Sequence, residues 1–241
     1  MGTLDGRVAV VTGATKGIGR AVSEALLAEG ASVALGARTE RDVQEAEEEL
    51  SQLHPGRVLG VPCDVRDPVA CAALMDQAVD RFGALHILVN NAGVGRFAPV
   101  SELSIEDWDL LISTNLSGVF YCSRSASPHL IASGSGFIVN VGSLAGKNPF
   151  PGGAGYNASK FGLTGLSEAM MLDLRHQNVR VMLVMPGSVS TEFRGPGVRD
   201  DRHEWALQAD DVARAVLHLV TYPEHALASK IEMRPSRPPK R

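Results

Sequence analysis

Tyr156, Ser159 and Lys160 stand in the run Gly155 to Gly162, and Ser143 lies upstream in Asn-Val-Gly-Ser-Leu-Ala-Gly. A lysine at i+4 from a tyrosine shares its helix face, so the ammonium can lie under the ring and favour the phenolate. A phenol with an ordinary pKa of about 10 could then give or take a proton near neutrality. The task that suits it is delivering a proton to a carbonyl oxygen while a hydride reaches the carbon. Such chemistry requires a hydride carrier, and the chain must hold one.

A site for it stands near the N-terminus. Arg7 to Val11 is a short apolar run of the buried-strand kind, followed by Thr12-Gly-Ala-Thr-Lys-Gly-Ile-Gly19 and the helix-like Arg20 to Gly30. Strand, glycine turn and helix in that order make a phosphate cradle, because glycines let the backbone approach and the helix N-terminus offers free N–H groups. The glycines fall at Gly13, Gly17 and Gly19. This spacing differs from G-x-G-x-x-G, and it is not a P-loop because Lys16 precedes the second glycine.

Taken in order, these segments resemble the short-chain dehydrogenase/reductase family, and within it the 3-oxoacyl-[acyl-carrier-protein] reductase-like and short-chain alcohol dehydrogenase group. The glycine motif is Thr12 to Gly19, the adenine-side acid is Asp64 in Cys-Asp-Val, and the Asn-Asn-Ala-Gly segment is Asn90 to Gly93. Asn115 in Ser-Thr-Asn-Leu-Ser-Gly is the helix asparagine, Ser143 the active-site serine, and Tyr156 with Lys160 completes the set. The resemblance implies that Tyr156 is the proton donor and that Ser143 orients the carbonyl. Lys160 keeps the phenol acidic and holds the nicotinamide ribose, and Asn115 holds a water linking Lys160 to solvent. It implies a nucleotide site of Gly13, Thr15, Lys16, Gly17, Ile18, Gly19, Arg38, Asp64, Val65, Asn91, Ala92, Gly93, Tyr156, Lys160, Pro186, Gly187, Val189 and Thr191.

Cofactor choice rests on Ala34-Leu-Gly-Ala-Arg-Thr39. An acid there would accept the ribose 2′-hydroxyl of NAD, whereas an arginine attracts the 2′-phosphate of NADP. Arg38 fills the place, with no acid until Glu40, and Lys16 can add a second positive charge, so NADP(H) is the expected cofactor.

Apolar runs at Val8 to Val11, Ser32 to Leu35, Val58 to Val61, His86 to Val89, Gly136 to Val141, Val179 to Val184 and Lys230 to Met233 read as seven strands. Helix-compatible stretches between them include Arg41 to Leu53, Pro68 to Phe82, Ile105 to Ser127, Gly155 to His176 and Ala209 to Val220. Strands without polar alternation are buried on both faces, and helical connections make the sheet parallel. The expectation is one doubly wound α/β Rossmann domain over residues 1–241, with a short substrate lid at 186–206.

The composition, 44% apolar and 21% charged, is that of a globular protein, and a net charge of −4 gives no general attraction to nucleic acid or anionic membrane. The basic run Arg234 to Arg241 reads as a solvated tail. No apolar stretch is long enough to span a bilayer and the N-terminal residues hold no signal-peptide core, so a cytoplasmic location is expected. Three cysteines and seven scattered histidines show no metal spacing, and no metal is expected.

The expected substrate is a ketone, an aldehyde or a 3-oxoacyl or 3-hydroxy acid compound. Phe97, Phe150, Phe193 and Trp205 can form apolar walls, and Arg96, Lys147 and Arg194 can anchor an anionic group. The terminal segment Ser229 to Pro235 departs from the glycine-rich finish of acyl-carrier-protein reductases, which sets a carrier-protein partner and the usual four-subunit packing in doubt. Resemblance implies a homodimer or homotetramer through the long helices Ile105 to Ser127 and Gly155 to His176. The alternative is a non-catalytic NADP(H) sensor or scaffold, a role usually marked by loss of the tyrosine or lysine.

Overall fold

The computed structural model describes residues 2–191 and 205–238. Seven strands form one parallel sheet: β1 Val8–Thr12, β2 Ser32–Ala37, β3 Val58–Pro62, β4 Ile87–Asn90, β5 Gly136–Val141, β6 Val179–Pro186 and β7 Lys230–Met233. Their order across the sheet is β3-β2-β1-β4-β5-β6-β7. The connecting helices are α1 Gly17–Ala28, α2 Glu40–Leu53, α3 Pro68–Phe82, α4 Ile105–Ile112, α5 Gly118–Ala132, α6 Ala154–Leu174 and α7 Ala209–Val220.

Successive residues of the inner strands enter different cores. Ala9 and Val11, Val33 and Leu35, and Met182 and Val184 pack with Leu26 and Leu27 of α1 and Val212 and Val216 of α7. Val10, Ala34, Leu88 and Ile138 point the other way, onto Leu74 and Met75 of α3 and Cys122, Ala126 and Leu130 of α5. Two-sided burial is why the strands read as unbroken Val, Ile and Leu rather than as an alternating pattern. Strand β7 differs because it is an edge: Lys230 and Glu232 are exposed, and such charges discourage pairing with another sheet.

Chain order reverses between β1 and β4, which lie side by side with Ala9 opposite Ile87 and Val11 opposite Val89. Loops leaving the two strands diverge there and open a crevice at their C-terminal ends. The loop after β5 reaches the same edge, since β5 pairs with β4 from Ile87 opposite Phe137 to Asn90 opposite Asn140.

One expected element is corrected. The sequence reads as a single helix from Ile105 to Ser127, but α4 and α5 are separated by a π turn at Ser113–Ser117. A π turn keeps the chain helical and this one contains no Gly or Pro, so no breaker residue marks it in the sequence. It holds Asn115. Among the described residues no helix is long and apolar enough to cross a membrane, and no group of three His, Cys, Asp or Glu side chains could hold a metal ion.

Ile138 is fully buried in the centre of the sheet. Ile138→Ala should destabilise the protein by about 2–5 kcal/mol, read as a lower urea midpoint with an unchanged slope. A loss below about 1 kcal/mol would contradict the close packing of this face.

Candidate active site

Thr12 ends β1, and its hydroxyl joins the two loops of the crevice. Its Oγ1 accepts hydrogen bonds from the N–H groups of Asn91 and Ala92, both at 3.1 Å, and donates to the Val89 carbonyl at 3.4 Å. Asn91 Nδ2 donates in return to the carbonyls of Thr12 at 3.0 Å and Gly13 at 3.1 Å. On the other side, Gly13 N and Ala14 N donate to the Gly36 carbonyl at 2.7 and 3.2 Å. The glycine loop is thereby fixed to β2 and to the segment after β4.

Gly13 and Gly17 have φ of 65° and 56°, where a side chain is disfavoured, and at Gly19 a Cβ would collide with the Gly13 carbonyl. Helix α1 has Lys16 at its N-cap, no side-chain cap and no acid in its first turn, so it presents a positive end. Thr15 and Ile18 belong to this turn. Thr191, after β6, lies over it, with its Cγ2 3.5 Å from where a Gly17 Cβ would stand.

Arg38 follows β2 and Asp64 follows β3, side by side because Cys63 N donates to the Ala37 carbonyl at 2.7 Å. Arg38 is exposed. The Asp64 carboxylate receives Arg66 Nε at 3.0 Å on each oxygen. Those hydrogen bonds, with a weaker attraction from Arg38, hold it below the usual carboxylate range. Val65 beside it is buried against Gly118 at the start of α5.

Ser143 follows β5 and begins the 3₁₀ turn Leu144–Gly146, its Oγ accepting from Ala145 N at 3.1 Å. Tyr156 and Lys160 occupy the first two turns of α6. The Tyr156 hydroxyl is hydrogen-bonded to Ser143. Lys160 Nζ lies over the Tyr156 ring at 5.9 Å from its centroid and donates to the Val141 carbonyl at 3.0 Å. Asn157 Nδ2 donates to the Ala145 carbonyl at 2.7 Å and so locks α6 to the serine turn. Serine, tyrosine and lysine are brought together on the crevice edge.

Asn115 is fully buried. Its Oδ1 accepts from Val94 N at 2.8 Å, and its Nδ2 donates to Val94 O at 2.9 Å and Ser159 Oγ at 3.1 Å. Ser159 Oγ donates onward to the Tyr156 carbonyl at 2.8 Å. The carboxamide is thus a brace between the segment Gly93 to Val94 and α6, a positioning role. Two participants were not singled out from the sequence, Thr12 and Asn157. Their signal was a polar side chain inside a motif that was read only for its neighbours.

Burial pushes the Tyr156 phenol above its ordinary value, and the Ser143 hydrogen bond partly offsets this. Lys160, expected to favour the phenolate, has its Nζ 5.9 Å from the ring centroid, while the phenol's shift is set first by desolvation and then by Ser143. Lys160 is itself depressed by burial, to about 8.

At the far side, Gly187 N donates to the Met233 carbonyl at 2.9 Å, just beyond Pro186 at the end of β6. Val189 pairs with Leu207 in a parallel bridge, and Ser190 N donates to Leu207 O at 2.8 Å. The two ends of the expected lid are therefore adjacent. Residues 192–204, with Phe193 and Arg194, lie outside the described residues, and Trp205 is half-buried in a turn before Leu207.

A parallel sheet with a glycine turn at its switch point, and a serine, tyrosine and lysine on the same edge, defines a nucleotide-dependent oxidoreductase architecture. The chain belongs to the short-chain dehydrogenase family, which it matches over residues 7–202. It is 36% identical over 240 residues to sulfoacetaldehyde reductase 2 of Chromohalobacter salexigens, covering 95% of this chain and 94% of that one. It is 34% identical over 246 residues to glycine betaine reductase of Emericella nidulans, covering 99% of this chain but spanning only 19% of that longer protein. Among solved structures, a metagenomic short-chain oxidoreductase in complex with NADP is 37% identical with a TM-score of 0.84, covering 98% of this chain and 100% of its own. The alcohol dehydrogenase of the archaeon Thermococcus sibiricus, complexed with 5-hydroxy-NADP, is 29% identical with a TM-score of 0.90, covering 98% and 99%.

Because the folded-state pKa of Lys160 lies below its unfolded value, the charged form is penalised, and the contribution to stability rises as pH climbs from about 8 to 10.5. Lys160→Met should remove that rise and stabilise the protein at pH 7 by about 1 kcal/mol or more, measured by urea unfolding across that range. An unchanged pH dependence would contradict the buried ammonium.

Proposed function

We propose that the protein is an NADP(H)-dependent carbonyl reductase or secondary-alcohol dehydrogenase in which Tyr156 is the general acid and base. The observation that carries this is the placement of Ser143, Tyr156 and Lys160 on the edge where the glycine turn and Arg38 emerge. The chain's residues fit the nucleotide: the α1 N-terminus and the close approach at Gly13, Gly17 and Gly19 suit a pyrophosphate. Asp64 and Val65 suit the adenine side, and Asn91, Ala92 and Gly93 with Pro186, Gly187, Val189 and Thr191 suit the nicotinamide half. When bound, the nucleotide supplies or accepts the hydride.

In reduction, Tyr156 Oη gives its proton to the carbonyl oxygen as the carbon is reduced, and the reverse transfer accompanies alcohol oxidation. A phenol kept protonated by burial is ready to donate. Ser143 Oγ holds the oxygen at hydrogen-bond distance from Tyr156, which fixes geometry rather than forming a bond to substrate. As the proton leaves and negative charge builds on Tyr156 Oη, the buried Lys160 ammonium stabilises the phenolate where Coulomb attraction is weakly screened. The intact tyrosine and lysine favour catalysis over a sensing role. Arg38, exposed beside Asp64, favours the 2′-phosphate and hence NADP(H), as does the similarity to chains solved with NADP and 5-hydroxy-NADP.

We also infer a homo-oligomer. Leu116, Phe120 and Tyr121 of the π turn and α5 and Leu166 of α6 line an apolar groove of about 470 Å³, and Phe120 and Phe161 are 46% and 43% exposed.

Tyr156→Phe should lower the rate of NADPH oxidation with a small diketone by a factor of at least about 100 while calorimetry shows unchanged NADPH affinity. Retained turnover would remove the proton-donor role. Arg38→Asp should weaken NADPH relative to NADH by about 10-fold to 100-fold, and an unaltered ratio would put 2′-phosphate recognition elsewhere.

A further inference from the structure

The wall of the site beside Tyr156 is built from two aromatic rings on different loops. Phe97, after β4, sits edge-to-face on Tyr156 with centroids 5.4 Å apart and planes at 67°. Phe150, after β5, meets Phe97 at 5.8 Å and 50°, and its ring rests against Gly153 just before α6. Behind the phenol, Tyr156 packs with Leu111, Ala145 and Val94. The tyrosine ring thus has Phe97, Leu111, Ala145 and Val94 as apolar neighbours, beside Ser143 and Lys160. Yet Phe97 and Phe150 remain 45% and 41% exposed, so each keeps an uncovered ring surface at the mouth of the site.

The two described cations that could have anchored an anionic substrate are each accompanied by an acid. Arg96 Nε lies 3.2 Å from Asp107, and its Nη1 donates to the Gly95 carbonyl at 2.9 Å. Lys147 Nζ lies 2.7 Å from Glu232, which also takes Arg234 at 3.0 Å. These are exposed pairs of modest strength, but an arriving carboxylate or sulfonate would meet the partner acid as well as the cation and gain little net attraction.

We propose that the site selects neutral carbonyl compounds bearing an apolar or aromatic group, and that Phe97 sets this selectivity by covering that group beside the carbonyl. The inference rests on the carbonyl-reductase reading above and adds the substrate class. It separates this chain from the 36% identical sulfoacetaldehyde reductase, whose named substrate is a small anion. Laying an apolar group on Phe97 and Phe150 removes apolar surface from water on both sides of the contact, and binding gains from that burial without a charge being desolvated.

The test compares two compounds of similar shape, neutral 1-phenyl-1,2-propanedione and anionic phenylglyoxylate, with NADPH. The wild type should favour the neutral compound in kcat/KM by at least about tenfold, the scale of burying one phenyl group. Phe97→Ala should raise KM for the neutral compound about tenfold with a much smaller change in kcat. The unreactive pair phenylacetamide and phenylacetate gives an independent readout, with competitive inhibition expected from the amide and weakened by the same substitution. Arg96→Gln and Lys147→Gln should leave the preference in place. Equal or better turnover of phenylglyoxylate, or a preference abolished by either glutamine substitution, overturns the inference while leaving hydride transfer intact. No turnover of any carbonyl by protein that binds NADPH would defeat the reductase reading itself and this inference with it.

Discussion

The Asn115 carboxamide is the interaction on which the site's geometry depends. It faces Val94 with an acceptor and a donor at 2.8 and 2.9 Å and reaches α6 through Ser159 at 3.1 Å. The segment after β4 is tied to the glycine turn through Asn91 and Thr12, and α6 carries the tyrosine and lysine. One buried side chain therefore links the two. A straight α-helix would carry the residues after Asn115 at a different rotation. The π turn lets α4 pack against α6 while α5 keeps its face on the sheet. Desolvating an amide is costly unless its polar atoms are matched, and here both ends of the amide are.

Around this brace, the site concentrates groups that are unfavourable for stability. Lys160 is buried with one hydrogen bond to a carbonyl and with its pKa pushed down to about 8. Tyr156 is buried and pushed the other way, upward. Both shifts come first from desolvation, so the pair is held in its neutral-phenol, weakly acidic-ammonium form by the surrounding apolar wall. That wall includes Phe97 and the cluster of Leu111, Ala145 and Val94. The same dryness that costs stability strengthens the attraction between phenolate and ammonium when a proton leaves.

Much of this arrangement was legible in the sequence. The unbroken Val, Ile and Leu runs marked the inner strands, buried on both sides, and the Gly13, Gly17, Gly19 spacing marked the turn at the switch point. What the sequence did not disclose were relations across distant segments. The bonds from Thr12 to Asn91 and Ala92, and from Asn157 to Ala145, depend on which strands are neighbours rather than on local pattern. The π turn contains no Gly or Pro and keeps the chain helical, so Ile105 to Ser127 read as one helix. The pairing of Arg96 with Asp107 and of Lys147 with Glu232 is likewise a relation between distant segments that local pattern does not show. The upward displacement of Tyr156 was missed for a related reason: i to i+4 spacing specifies proximity to Lys160, not the desolvation that competes with it.

If the proposed chemistry holds, a nucleotide held by the turn at Gly13 to Gly19 and the Ser143, Tyr156 and Lys160 group act on one carbonyl. The most direct measurement is reduction of a ketone with NADPH carrying deuterium at the transferable C4 position, followed by mass analysis of the alcohol. One deuterium is expected at the carbinol carbon, derived from the nucleotide and not from solvent. An unlabelled carbinol carbon, or label arriving only when the reaction is run in deuterium oxide, would contradict it.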